Sequence, residues 1–293
     1  MERKTVYALG FFDGVHLGHQ ALLQACRELA GELDANIGAV TFDTHPEILT
    51  AHKAPRLINR VEDRNQLLCN LGVERLCTLP FDQHIRTMPW QDFFRLLLVE
   101  YGAAGLVCGD DFRFGYQGEG NALLLQQVCR EAGIPCRIVP EQVLDGERIS
   151  STRIRKLLEN GEMEAAVRLL GHPHMLTGRV VSGRQLGRTI GVPTANLPLP
   201  EQLARPKYGV YACNAHVGGH VYPAVTNIGT RPTVEGHHAT VEAWLLGFEG
   251  DLYGKTMTLE FHKFLRPETK FESLEKLKLQ IQADAAQVYK LLR

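Results

Sequence analysis

Two histidines, His16 and His19, stand three residues apart in "GFFDGVHLGH", residues 10–19. A strand-like run, Thr5–Leu9, leads in, and a helical pattern follows. Gly10, Gly14 and Gly18 thread the stretch, and glycine lets backbone approach a ligand closely. The start of a helix presents free N–H groups and a partial positive charge. Imidazoles placed there can donate hydrogen bonds to phosphate oxygens as charge builds in a transition state. These residue types in this order read as a polyphosphate site.

Two other stretches could hold anions. In "ISSTRIR", residues 149–155, Ser150, Ser151 and Thr152 precede a helical run with Arg153 and Arg155. Hydroxyls and guanidinium groups at a helix start can clamp phosphate; the same hydroxyls also serve as ordinary N-caps. "GRVVSGRQLGRTIGVPTANL", residues 178–197, is rich in glycine and arginine, as a phosphate-cradling turn or a plain barrel turn would be. At its end Thr194 and Asn196 put two oxygens on one face of a strand. Hard oxygens suit Mg²⁺ bound together with substrate phosphates; such side chains also commonly pair backbone groups.

The elements that must position these residues fall into two rhythms. Up to about residue 170, strand-like runs (Thr5–Leu9, Asn36–Phe42, Arg75–Leu79, Gly105–Cys108, Cys136–Val139) alternate with helical patterns such as Gln20–Leu33 and Gln91–Tyr101. In the first helix Ala21, Leu22, Ala25, Leu29 and Leu33 fall on one face. Alternation of this kind predicts an α/β, Rossmann-like doubly wound sheet with helices on both sides. Ligands then bind beyond the carboxyl ends of the strands. From 176 to 264 the chain is β-rich and punctuated by glycine, which predicts a small antiparallel β-barrel. A terminal helix is expected from about Ser273, with Leu274, Leu277, Ile281, Ala285 and Val288 packing on that barrel.

The bulk numbers narrow the class. A length of 293 residues favours two domains, and 44% hydrophobic with 22% charged residues is ordinary for a soluble globular chain. A net charge of -1 argues against a nucleic-acid partner. No run is apolar and long enough for a membrane span. The start lacks a signal-peptide pattern. Seven cysteines without a CxxC pair fit reduced thiols in the cytoplasm.

Taken in order, "GFFDGVHLGH", "TFDTHP" (41–46), "GDDFRFG" (109–115) and "ISSTRIR" resemble the adenylyltransferase domain of bacterial bifunctional riboflavin kinase/FAD synthetases. "GRQLGRTIGVPTANL", "YGVYA", "NIGTRPTV", "VEAWLLGFEGDLYGK" and "FLRPETKF" follow in the order of riboflavin kinase domains. The resemblance spans essentially the whole chain. It implies an FMN adenylyltransferase domain at 1–171 and a riboflavin kinase domain at 176–293. Riboflavin, FMN, FAD and ATP are the implied partners, with Mg²⁺ as cofactor and the oligomeric state open.

By the same resemblance His16, His19 and Glu242 are the catalytic candidates, Glu242 as general base. Gly10, Phe12, Gly18, Asp111, Ser151, Thr152, Arg153, Gly183, Arg188, Thr194 and Asn196 are expected to bind nucleotide. Asp43, His45, Phe112 and Phe114 are expected to bind flavin, and Thr194 and Asn196 the metal. Thr44, Trp244 and Gly247 depart from the usual family residues, and "GYQGEGN" lacks an arginine common after "FRFG". The alternatives are a chain with only one live activity and a flavin-binding regulator.

Overall fold

The first strand, β1 (Thr5–Leu9), is buried along its whole length, as a strand covered on both faces must be. Four strands join it in parallel: β2 (Asn36–Phe42), β3 (Arg75–Leu79), β4 (Ala103–Gly109) and β5 (Cys136–Val139). The order is β3-β2-β1-β4-β5. It reverses direction between β1 and β4, so the loops leaving those two strands diverge and open a crevice. "GFFDGVHLGH" leaves β1 and "GDDFRFG" leaves β4. The computed structural model describes residues 4–49, 55–183, 187, 191–233 and 236–292.

Helix α1 (Leu17–Glu32) starts three residues before the periodicity predicts. It buries Leu22, Leu23, Cys26, Leu29 and Ala30, each leucine worth about 1.5–3 kcal/mol in apolar burial. The expected face is rotated: Leu33 is 40% exposed, while Leu23 and Cys26 turn inward. The reason is tertiary, because α1 lies across β1, β2, β4 and β5 and needs a wider stripe than one strand would. The Cys26 thiol donates to the Val6 carbonyl at 3.2 Å. The helix expected at 91–101 is α-helical only over Trp90–Arg95 and continues as a π-helical turn, Leu96–Glu100. Helix α2 (Val61–Asn70) and helix α3 (Ala122–Glu131) complete the covering; Asn121 caps α3 by accepting from the Leu124 N–H at 2.9 Å.

The second half holds helix α4 (Ser151–Asn160), helix α5 (Met163–Leu170) and six antiparallel strands. These are β6 (His174–Arg179), β7 (Ala195–Pro198), β8 (Gly209–Val217), β9 (His220–Thr233), β10 (Gly236–Leu245) and β11 (Thr256–Arg266). Their order is β6-β11-β8-β9-β10-β7. Val181, just past β6, bridges to Asn196 on β7 and donates to its carbonyl at 2.9 Å. That bridge nearly closes the sheet into a barrel, which shields its edges. Helix α6 (Leu274–Leu291) ends the fold, with Ser273 as its N-cap accepting from the Lys276 N–H at 3.2 Å.

By contact density the chain forms two units, residues 1–57 with 61–151, and residues 58–60 with 152–293. Helix α5 packs on β6 and β11, and its Met163, Ala166 and Leu170 are fully buried. The helices between 152 and 170 therefore group with the barrel.

One barrel residue carries a pH signature. His174, on β6, is 4% exposed, and its Nδ1 has no partner among the described residues. Burial, then the nearby His172, pushes its pKa down to about 4. The unfolded chain takes up this proton near pH 6.5, the folded chain only near pH 4. The stabilising contribution is therefore complete above pH 6.5 and is lost as pH falls towards 4. The expected slope is about 1.4 kcal/mol per pH unit from this residue. Denaturant titrations at several pH values should show it, and His174→Leu should flatten that slope. The same slope in parent and variant would contradict the assignment.

Candidate active sites

In the first unit the histidine pair sits at the α1 N-terminus. His16 is the N-cap, and its Nδ1 accepts from the His19 N–H at 3.4 Å. The two rings stack with centroids 3.7 Å apart and planes 16° apart. Gly18 leaves open the space beside the His16 ring, where a Cβ would come within 3.1 Å of it. Phe12 adopts a left-handed backbone at φ 58°, a strained choice for a bulky residue. Its ring is fully buried and lies edge-on to His19 at 5.3 Å. Gly10 makes room for that ring, since a Cβ there would stand 3.3 Å from it. Burial, then His16 and Arg64, holds the His19 pKa well below the usual imidazole value. His19 is thus neutral at pH 7, with its Nδ1 unpartnered among the described residues.

Three residues brace this loop. Arg64 of α2 is 2% exposed. It donates to the Phe11 carbonyl at 3.1 Å and the Phe42 carbonyl at 2.6 Å, and its guanidinium lies 4.8 Å from the Phe11 ring centroid. Burial lowers its pKa to about 10 against the pull of Asp13 and Asp43, so it stays charged at pH 7. Thr41 also donates to the Phe11 carbonyl, at 3.0 Å. Ser151 donates to the Asp13 carbonyl at 2.9 Å, so its hydroxyl braces the histidine loop. Thr152 and Arg153 follow on α4.

An aromatic cavity of about 560 Å³ lies at the carboxyl side of the same sheet, lined by Phe42, Phe81, Phe93, Phe112 and Phe114, with Arg86. Phe112 and Phe114 stack at 5.7 Å. Asp43 and His45 are not among its lining residues. Asp43 accepts from the Phe81 N–H at 3.0 Å, and His45 meets the Phe11 ring edge-on at 4.7 Å. Asp111 pairs with Arg148, which also pairs with Glu141 at 2.7 Å.

In the barrel, Val241 and Ala243 are fully buried while Glu242 and Trp244 alternate to the outer face. Glu242 stands in register with Asn196 on β7 and Asn227 on β9. Residues directly opposite share a face, so the three side chains form a row across three strands. Asn196 is 6% exposed, and a Cβ at Gly183 would fall on its carboxamide. Thr194 lies just before β7 and, with Glu242 and Asn227, lines a cavity of about 530 Å³. It also lines a neighbouring cavity of about 340 Å³ with Leu245, Phe248, Asp251 and Tyr253. Arg188 lies outside the described residues.

The terminal helix has two roles along its length. Ala285 and Val288 pack on Val210, Ala212 and Val225 of the barrel, as expected. Leu274, Leu277 and Ile281 instead line the larger cavity, and Leu274 is 64% exposed. Arg266, Glu268, Asn227 and Trp244 line it too. Arg64, Thr41, Asn227, Arg266 and Asp284 escaped the sequence reading. Each looks locally like a surface or strand residue, and only long-range packing gives it a place in a site. Trp244 is part of the cavity wall.

Comparison with known proteins covers both halves. The FAD synthetase family model matches residues 1–153 and the riboflavin kinase model residues 170–292. The bifunctional riboflavin kinase/FMN adenylyltransferase of Escherichia coli strain K12 is 40% identical over 95% of this chain and 90% of its own length. That of Pseudomonas fluorescens is 40% identical over 97% and 92%, and that of Bacillus subtilis strain 168 is 35% identical over 97% and 91%. A crystal structure described as a macrolide-efflux protein from Streptococcus pneumoniae superposes with a TM-score of 0.89 at 32% identity, covering 99% of this chain and 95% of that one. Among the described residues no helix is long and apolar enough to cross a membrane. The chain belongs to the bifunctional riboflavin kinase/FMN adenylyltransferase family.

Proposed function

We propose that the barrel unit transfers the γ-phosphate of ATP to the 5′-hydroxyl of riboflavin, giving FMN and ADP. The parallel-sheet unit then joins AMP from a second ATP to FMN, giving FAD and pyrophosphate. The observation that carries this reading is that one chain matches both family models, in order.

For the kinase step, Glu242 takes the proton of the riboflavin hydroxyl as it attacks. Riboflavin occupies the larger cavity, and ATP the neighbouring one that shares Thr194. Gly183 and Arg188 belong to the nucleotide side. Mg²⁺ fits the hard oxygens of Thr194 and Asn196, the second of them nearly buried beside the cavity row. Thr194 and Asn196 would hold the ion together with substrate phosphates and water, as Mg²⁺ commonly is held. When bound, the metal neutralises developing phosphate charge.

For the adenylyl step, His16 and His19 donate to the reacting phosphates at the α1 N-terminus. The His19 imidazole, stacked on His16 and near Arg64, resists protonation; an arriving polyphosphate relieves that resistance. The isoalloxazine ring stacks in the aromatic cavity on Phe112 and Phe114, with Asp43 and His45 holding its surrounding loop. Gly10, Gly18, Asp111, Ser151, Thr152 and Arg153 remain nucleotide-side residues. Phe12 acts through its backbone, because its ring is buried. Seven free cysteines support a cytoplasmic setting.

The test is to incubate the purified chain with riboflavin, ATP and Mg²⁺ and separate the flavins over time. FMN followed by FAD is expected. FMN alone, FAD only from added FMN, or no conversion would support the one-activity or regulator alternatives instead. A fragment of residues 152–293 should make FMN and stop there. A cut at 176, the expected start of the kinase domain, strips the apolar cover of α5 and should give a less stable fragment by circular dichroism. Equal melting of the two fragments would remove α4 and α5 from the kinase domain.

A further inference from the structure

Asp284 is a carboxylate on α6 with 2% exposure. It accepts from Arg266 Nε with both oxygens at 3.1 Å, from Arg266 Nη2 at 2.8 Å and from Gln280 Nε2 at 2.9 Å. Arg266 closes β11 and opens the segment "RPETKF". Its Nη1 donates to the Pro267 carbonyl at 3.2 Å, and its guanidinium lies 5.7 Å from the Phe271 ring centroid. Arg266, Phe271 and Asp284 all line the cavity that contains Glu242.

Docking of α6 does not need this pair. Ala285 and Val288 already dock it through apolar contacts with the barrel, and a buried ion pair is often no more stabilising than apolar side chains of similar volume. What the fork does supply is orientation. A guanidinium gripped through Nε and one Nη cannot swing, and its plane is suited to stacking on an aromatic ring. The same helix turns Leu274, Leu277 and Ile281 to the cavity. The result is a slot lined by the polar row of Asn227 and Glu242 and by the apolar side chains of the helix.

We propose that Asp284 is a positioning residue for riboflavin phosphorylation. By fixing Arg266, and through it Phe271, it sets the end of the slot that receives the flat ring of riboflavin, so that the 5′-hydroxyl reaches Glu242. This rests on the reading of that cavity as the kinase site.

The test uses the full chain and four variants: Asp284→Asn, Asp284→Glu, the apolar double variant R266M/D284L and Glu242→Gln. Kinase KM and kcat, FAD formation from added FMN, and the melting midpoint are measured for each. D284N should raise the riboflavin KM about tenfold or more, the equivalent of one charged hydrogen bond. The ATP KM and FAD formation should stay within about twofold. R266M/D284L should melt near the parent, because the charge pair is removed whole, and yet show the same rise in riboflavin KM. Asp284→Glu, which keeps the charge, should recover part of the loss. A folded D284N or R266M/D284L with the parent's riboflavin KM would overturn the proposal. So would loss of the fold in both, with no change in KM for the surviving active fraction, because the pair would then only bolt the helix down. If E242Q keeps the kinase rate, the assignment of the cavity itself fails. If E242Q loses the rate while D284N keeps its KM, the cavity stands and only the role of Asp284 falls.

Discussion

Glu242→Gln should lower riboflavin phosphorylation by roughly 10²–10⁴, the range for loss of a general base. The substitution keeps the size of the side chain and removes its basic oxygen. Its neighbours leave little scope for a substitute: the residues in register with it on β7 and β9 are the amides Asn196 and Asn227, and neither accepts a proton at neutral pH. Glu268 lines the same cavity and accepts from Asn227 Nδ2 at 3.1 Å, so it is already engaged. ATP binding should persist, because Thr194 and Asn196 remain. Formation of FAD from added FMN should also persist, since the histidine site lies in the other unit. Both half-reactions are measured on one preparation at saturating substrates. A kinase rate within about threefold of the parent would remove Glu242 from the mechanism.

His19→Ala has the mirror-image outcome. Loss of one preorganised donor at a developing phosphate charge costs on the order of 10²–10³ in rate, here in FAD formation from FMN. FMN formation from riboflavin should be nearly unchanged. In the free enzyme the His19 pKa is depressed by burial, His16 and Arg64, so its protonated form is rare at neutral pH. Bound polyphosphate draws the pKa back up, so lowering the pH over the range where the flavin and ATP still bind should favour the charged donor. Removing the His16 ring, as His16→Asn, takes away one of the causes of depression and should raise the His19 pKa, read by NMR of the imidazole. An unchanged His19 titration in that variant would show that stacking on His16 has no electrostatic part. Equal losses in both half-reactions of His19→Ala would point to damage of the whole fold.

Much of the scaffold was legible because its signals are local. Four of the five parallel strands have the bounds that apolar runs and flanking turns predict; β4 begins two residues earlier, at Ala103. His16 and His19 read correctly as residues of a strand-to-helix junction, since glycine spacing and the onset of helical periodicity are both written within ten residues. The inward face of α1 was misread because it is set by four strands crossing beneath it, not by the helix alone. The first half of α6 was misread for a related reason. Apolar period marks a side that avoids water, but does not say whether protein or a ligand cavity lies against it.

The sequence by itself determined the two rhythms, the barrel class, the histidine junction and, through ordered motifs, the family. Only the tertiary structure decided which distant residues share a site. Asn196, Asn227 and Glu242 become neighbours through the backbone registers of β7, β9 and β10. Arg64 reaches the Phe11 carbonyl across 53 positions, and Asp284 grips Arg266 from a different element. Periodicity reports on burial within one element, over a few residues. Register, closure and the meeting of a buried charge with its partner depend on hydrogen bonds and packing between elements, and the chain must fold before those exist.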